Sequence, residues 1–288
     1  MIYGLLAAVG WGLADYSGAI AGRRIGSVPA VVLGQVLSAA FMTALVVATS
    51  GDVGTVAPWL ELVAANGIVT ATAYATHYRA LQLGPVAVVS PIGGTYALPA
   101  IVLAVVVLGE RPSGLALVGA VVTVTGVVLT STNLRALRAG LRGHAPGLWW
   151  AIVSALGFGV AAFLLGVAAR ELGWVVGLWA SRSAQVLAYV PLVLVRRREF
   201  VALRGRPEVG AGIAVALAAG AADVLGVTTY SIGSELGFIS IVVAASAIFP
   251  AIAVGLSIVF LRERLVPNQW LGVALVLSGL VLLGLGSR

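Results

Sequence analysis

Three charged side chains stand away from the ends of the long apolar stretches of this sequence: Asp15, Arg182 and Asp223. Charged residues make up only 9% of the chain, against about 25% in an ordinary soluble domain. An ionised group within a bilayer is costly, and it is kept where it pairs to fix the fold or meets a ligand or an ion. Arg182 and Asp223 can form a buried ion pair between two helices. The same two groups can also receive the carboxylate and ammonium of a zwitterion. Asp15 has no evident basic partner, and a membrane carboxylate of that kind can bind and release protons, which makes it the candidate for proton coupling.

Polar and aromatic residues recur near these three. Trp11 and Asp15 are four residues apart and share a helix face. Ser181, Gln185 and Tyr189 form a stripe at i, i+4 and i+8, with Arg182 beside it. Tyr74, His77 and Tyr78 close one apolar run, and Ser90 and Tyr96 flank Gly93 and Gly94 in the next. With Arg182 and Asp223, the expected substrate-binding set is Trp11, Gln35, Tyr74, His77, Tyr78, Ser90, Tyr96, Phe158, Phe163, Ser181, Gln185 and Tyr230. Pro91 and Pro99 interrupt the fourth run and are the expected hinge, because proline leaves a helix carbonyl without its donor.

Catalytic chemistry finds little support. The histidines are His77 and His144, there is no cysteine, and no HExxH, GxSxG or phosphate-binding loop occurs. No catalytic residue, metal ligand set or cofactor is therefore expected, and the alternative of a membrane-embedded lipid-modifying enzyme lacks a nucleophile and base in reach of each other.

The elements that must position these residues are transmembrane helices. The chain has 288 residues, 60% of them hydrophobic, with a mean hydropathy of +1.09. About 20 apolar residues span a bilayer as a helix, and ten such runs occur, near 2–20, 28–49, 58–80, 85–107, 112–131, 147–169, 174–195, 209–231, 236–260 and 267–285. They lack the period-two alternation of barrel strands. The first run has no basic segment before it and no cleavage site, so it reads as a retained helix. All 17 basic residues are arginine and the net charge is +7. Arginine in short loops orients membrane helices, so the expected partners are the lipid bilayer and a small-molecule substrate, not a nucleic acid.

The chain is internally duplicated. Gly84, Leu108, Glu110, Arg111, Gly119 and Gly126 recur 153 positions later as Gly237, Leu261, Glu263, Arg264, Gly272 and Gly279. Gly67 matches Gly220 at the same offset. Gln35 matches Gln185 at 150, and Gly10-Trp11-Gly12 matches Gly157-Phe158-Gly159 at 147. Two five-helix repeats follow, 1–131 and 147–288, joined by a linker at 132–146. An odd number of crossings makes the second repeat enter from the opposite side. The expected fold is therefore an all-α membrane protein of ten transmembrane helices in two inverted repeats, with a site between the halves near the midplane. Both halves lie in one chain, so a monomer suffices to build that site.

The repeated block resembles the drug/metabolite transporter superfamily, in particular its EamA-type ten-helix branch. The resemblance rests on Tyr78-Arg79-Ala80-Leu81, Gly84 through Pro91, Gly109-Glu110-Arg111-Pro112, Gly119 and Gly126. The second copy keeps Leu236-Gly237, Leu261-Arg262-Glu263-Arg264, Gln269-Trp270-Leu271-Gly272 and Gly279, but has Phe238 for Pro85 and Leu265 for Pro112. The resemblance implies a carrier for small metabolites, often an exporter, with helices 1–4 and 6–9 around a cavity and helices 5 and 10 peripheral. Amino acids, aromatic ones first, are the expected cargo, moved by alternating access, with sugars, nucleosides and drugs as alternatives. Some members of that family keep both termini in the cytoplasm. Here the arginines point the other way. Of those outside the apolar runs, only Arg111, Arg170 and Arg288 fall on the side of the termini. The positive-inside rule then places both termini outside the cytoplasm of an inner cell membrane.

Overall fold

The computed structural model describes residues 1–83, 92–132, 147–203, 209–252 and 266–286. Among them ten principal helices lie where the apolar runs predict: α1 Ile2–Ile25, α2 Ser27–Ala48, α3 Leu60–Leu83, α4 Ala97–Val107, α5 Gly114–Ser131, α6 Leu148–Leu172, α7 Trp174–Ala188 continued by Val190–Val195, α8 Val209–Leu236, α9 Ile239–Ser246 and α10 Pro267–Gly286. A 3-10 segment, Val53–Trp59, precedes α3, with the Asp52 carboxylate accepting from the Gly54 N–H at 2.9 Å. No strand occurs among the described residues. Apart from Thr132, the predicted linker at 132–146 lies outside the described residues, as do Ser90, Pro91 and Glu263.

Two helix ends differ from the expected ones for a local reason. α1 runs through Arg23 and Arg24 and stops at Gly26, whose φ of 91° costs glycine nothing. The arginines sit in the last turn, where a cation complements the helix dipole, so charge does not end the helix. α8 likewise continues to Leu236 before Gly237.

The two repeats do not fold side by side. α1 packs along α8 and α6 along α3, so each half buries its first helix in the other. Small residues make this approach possible. A Cβ added at Gly10 would lie 2.5 Å from the Gly226 nitrogen, and one at Gly157 would meet the Ala73 side chain at 3.0 Å. These are the same contact in the two repeats. α5 and α10 close on each other in the same way: a Cβ at Gly119 would lie 2.8 Å from the Gly279 carbonyl oxygen, and one at Gly126 would lie 2.8 Å from that of Gly272. Between helices in lipid, such backbone proximity supplies the packing that hydrophobic exclusion cannot.

α4 and α9 are both interrupted at equivalent positions. A 3-10 turn, Gly94–Tyr96, precedes α4, and α9 breaks at Ala247 and Ile248 before helix resumes at 249. Pro99 and Pro250 follow the breaks and cannot donate to the carbonyls of Thr95 and Ser246. Replacing Gly126 with leucine overpacks the α5–α10 contact and should cost about 1–3 kcal/mol, seen as a lower unfolding midpoint in detergent. Gly210→Ala, where an added Cβ meets nothing within 4 Å, should leave the midpoint unchanged or slightly higher.

Candidate functional site

The middle of the bundle holds one polar node. Arg182 on α7 donates from Nη1 to Gln35 Oε1 at 2.5 Å and to Gln185 Oε1 at 2.7 Å. Its Nη2 meets Asp223 Oδ2 on α8 at 2.9 Å. Gln35 and Gln185 are equivalent positions of the two repeats, so the guanidinium bridges them where the halves meet. Gln185 Nε2 in turn donates to the Tyr189 hydroxyl at 3.1 Å. All of these side chains are buried. The sequence spacing left open whether Arg182 and Asp223 pair, and the geometry pairs them.

An aromatic layer lies beside the node. The Trp11 ring is 5.4 Å from Tyr230, 6.4 Å from Tyr96 and 6.4 Å from Phe249. Tyr96 and Phe249, which are repeat equivalents, stand 5.9 Å apart next to the two helix breaks. The Tyr96 hydroxyl is bound to Ser246 Oγ at 2.8 Å. A second group repeats the pattern: Phe158, equivalent to Trp11, stands 5.8 Å from His77 and 4.8 Å from Tyr74. Asp15 has an accessible side chain within electrostatic reach of Asp223 and Tyr96.

The two ends of the interior differ. Toward the arginine-rich side, Val28, Val31, Val32, Tyr74, Arg79, Tyr189, Leu192 and Arg196 line a cleft with about 160 Å³ of open space. The repeat equivalents of Val28, Tyr74 and Leu192 are Leu178, Val227 and Met42. Those three pack together, 0–3% exposed. One membrane side is open where the equivalent place on the other is plugged.

A clamp reinforces the plugged side. Glu110, between α4 and α5, accepts from the backbone nitrogens of Ile239 and Ser240 at 2.8 and 3.0 Å and from Ser240 Oγ at 2.6 Å. This places a carboxylate at the N-terminus of α9, where exposed N–H groups and the helix dipole favour an anion. Arg170 at the end of α6 completes it, with Nη2 at 2.6 Å from Glu110 and hydrogen bonds to the carbonyls of Ser234 and Gly237. Glu110 stood out in the sequence as part of the repeat, but its partner did not. The missed signal is that Arg170 falls 147 positions after Arg23, in register with the Trp11–Phe158 match.

The sequence-predicted residues thus separate into groups. Gln35, Arg182, Gln185 and Asp223 meet in the polar node, and Ser181 is buried on the same helix with its hydroxyl unbonded. Trp11, Tyr96 and Tyr230 form one aromatic group; Tyr74, His77 and Phe158 form the other. Tyr230 is wholly buried and donates to the Ala162 carbonyl at 2.8 Å, which is a packing role. Phe163 is buried in the main apolar core. Pro99 packs against Gly159 of α6 beside the α4 break. The side chain of Tyr78 lies outside the description. Phe249 was not singled out from sequence, although its register with Tyr96 marks it.

A ten-helix bundle of two inverted repeats, with interrupted helices beside a polar and aromatic interior, is the architecture of secondary transporters. The chain belongs to the EamA-like transporter family, which matches residues 1–132 and 145–285, in line with the drug/metabolite transporter superfamily that the repeated block resembles. A solved crystal structure superposes on 100% of this chain and 97% of its own with a TM-score of 0.75 at 21% identity, a likeness of fold. Among curated proteins, the uncharacterized protein MJ1333.1 of Methanocaldococcus jannaschii is 47% identical over 51 residues, or 18% of this chain. The match spans 37% of that relative's length.

Removing one partner of the central pair should be far worse than removing both. Asp223→Leu leaves the guanidinium buried without a counter-charge, at a cost of about 3–5 kcal/mol. Arg182→Met combined with Asp223→Leu should recover most of that loss. Unfolding midpoints of the single and double variants in one detergent check it.

Proposed function

We propose that this protein is a multi-pass carrier of the inner cell membrane that exports small amine-bearing metabolites, with aromatic amino acids first among them, by alternating access through the interior between its repeats. The observation that carries this reading is the mismatch between equivalent places. Val28, Tyr74 and Leu192 line an open cleft, while Leu178, Val227 and Met42 are packed shut. Two halves of one design in two conformations are what an inverted repeat needs, since exchanging them moves the opening to the other face.

The aromatic layer supports planar substrates, which stack on Trp11, Tyr96, Phe158 and Tyr74. The arginine distribution supports a cytoplasmic cleft and non-cytoplasmic termini, so the loading side faces the cell interior, as export requires. One chain supplies both halves, and the bilayer is the only further partner the reading needs. Asp15 is the group through which a proton gradient would act.

The chain contains no cysteine, so single thiols report cleanly. In liposomes, Val28→Cys should react with a membrane-impermeant maleimide from the arginine-rich side. Leu178→Cys should react at least tenfold more slowly from the other side, and faster during counterflow of labelled phenylalanine or tryptophan. Equal reactivity of both positions without substrate would count against alternating access, and absence of counterflow for every amino acid would remove the proposed cargo.

A further inference from the structure

Three charged side chains stand away from the ends of the apolar runs: Asp15, Arg182 and Asp223. Arg182 is committed. One terminal nitrogen is held by Gln35 and Gln185 and the other by Asp223, and both side chains of the ion pair are under 10% exposed, at 6% and 8%. Receiving a substrate carboxylate would require Arg182 to release Asp223 and leave that acid buried without a cation. Arg182 therefore offers no positive charge to a ligand beside Asp15, and the arginines of the open cleft, Arg79 and Arg196, stand at its arginine-rich end. Of the three, the charge left over is the negative one on Asp15.

The position of Asp15 makes that charge available. Ile2, Leu6, Val9 and Leu13 form the lipid-facing stripe of α1, all well exposed. Asp15 lies on the opposite side of the helix, in line with the buried Ala8 and half-buried Trp11. Yet it is accessible. A residue that turns away from lipid and is still accessible faces an internal space. Among the described residues it has no hydrogen-bond or ion-pair partner. Trp11 is one turn away on the same face, and the rings of Tyr96 and Phe249 stand within 6.4 Å of Trp11. Indole and phenol faces attract cations, and more strongly when water is excluded.

We infer that the interior beside Asp15 is a cation site: it takes the protonated amine of the substrate, held by the Asp15 carboxylate against the Trp11, Tyr96 and Phe249 rings, and it does not read a substrate carboxylate. This rests on the carrier reading and narrows it. The substrate class becomes primary amines carrying an aromatic or otherwise apolar body, and an amino acid is bound through its ammonium end. A second carboxylate near Asp15 is repelled, so decarboxylated analogues are the better ligands.

Three compounds with one ring system test this: tryptamine carries the ammonium alone, tryptophan both groups, and indole-3-propionate the carboxylate alone. Titration calorimetry on the full chain in detergent should show tryptamine binding at least tenfold tighter than tryptophan, and indole-3-propionate not at all. Asp15→Asn should weaken tryptamine at least tenfold with the unfolding midpoint unchanged, and Asp15→Glu should retain binding. If Asp15→Asn fails to fold, Trp11→Leu, expected to weaken tryptamine severalfold, is read instead. Binding of indole-3-propionate as tight as that of tryptamine overturns the inference, as does no tryptamine binding, or tryptamine binding indifferent to both Asp15 and Trp11. Counterflow of labelled tryptophan in liposomes separates the two proposals. Transport without preference for the ammonium ends this inference and keeps the carrier, whereas ammonium-selective binding without counterflow keeps the site and ends the carrier reading.

Discussion

The contact between Arg182 and Asp223 is the constraint around which the rest of the interior is arranged. In a medium that cannot solvate ions, a guanidinium at mid-depth must bring its own acceptors. It finds them on three helices: Gln35 on α2, Gln185 on its own α7, and Asp223 on α8. Its charge is neutralised by an acid from the second repeat, and one of its hydrogen bonds goes to the first. The node therefore ties the repeats together at their centre. Because it consumes the charge of Arg182, that guanidinium has none left for the space beside it.

Around that node the two repeats use the same contacts with different consequences. Glycine or alanine at each close crossing lets α1 meet α8 and α3 meet α6. The broken α4 and α9 bring Tyr96 and Phe249 together between the halves. The asymmetry lies in what each half buries. Glu110 and Arg170 hold the start of α9 against α6 and α8, on the same side as the packed Met42, Leu178 and Val227. On the other side the equivalents of those three, Leu192, Val28 and Tyr74, line the open cleft. A carboxylate cap, an ion pair and a small apolar plug thus act on one face together.

Much of this was legible in the residue order. Ten apolar runs became ten helices, because span length and backbone satisfaction leave a membrane chain few choices. The offset between the repeats correctly anticipated that Trp11 and Phe158, or Gly67 and Gly220, would occupy matching places. What was not legible was pairing across distance. Nothing in the order of residues tells Arg182 to prefer Asp223 over Asp15, since both carboxylates lie within apolar runs and only packing decides which is in reach. Glu110 looked like a charged loop residue, and its burial against a helix start 129 positions away leaves no local signature. Tyr230 and Phe163 illustrate the converse: an aromatic side chain in a membrane helix reads the same whether it meets a ligand or fills a core.

The glycine contact between α5 and α10 has a meaning of its own. Gly119 meets Gly279 and Gly126 meets Gly272, each pair being the other's counterpart under exchange of the repeats. An operation that swaps the halves sends this contact onto itself. The α5–α10 seam is therefore shared equally by the two repeats and stands outside the asymmetry that separates the open cleft from the packed plug. It is the place where the two halves of the chain are indistinguishable, a mirror kept at the edge of a molecule whose interior has lost its symmetry.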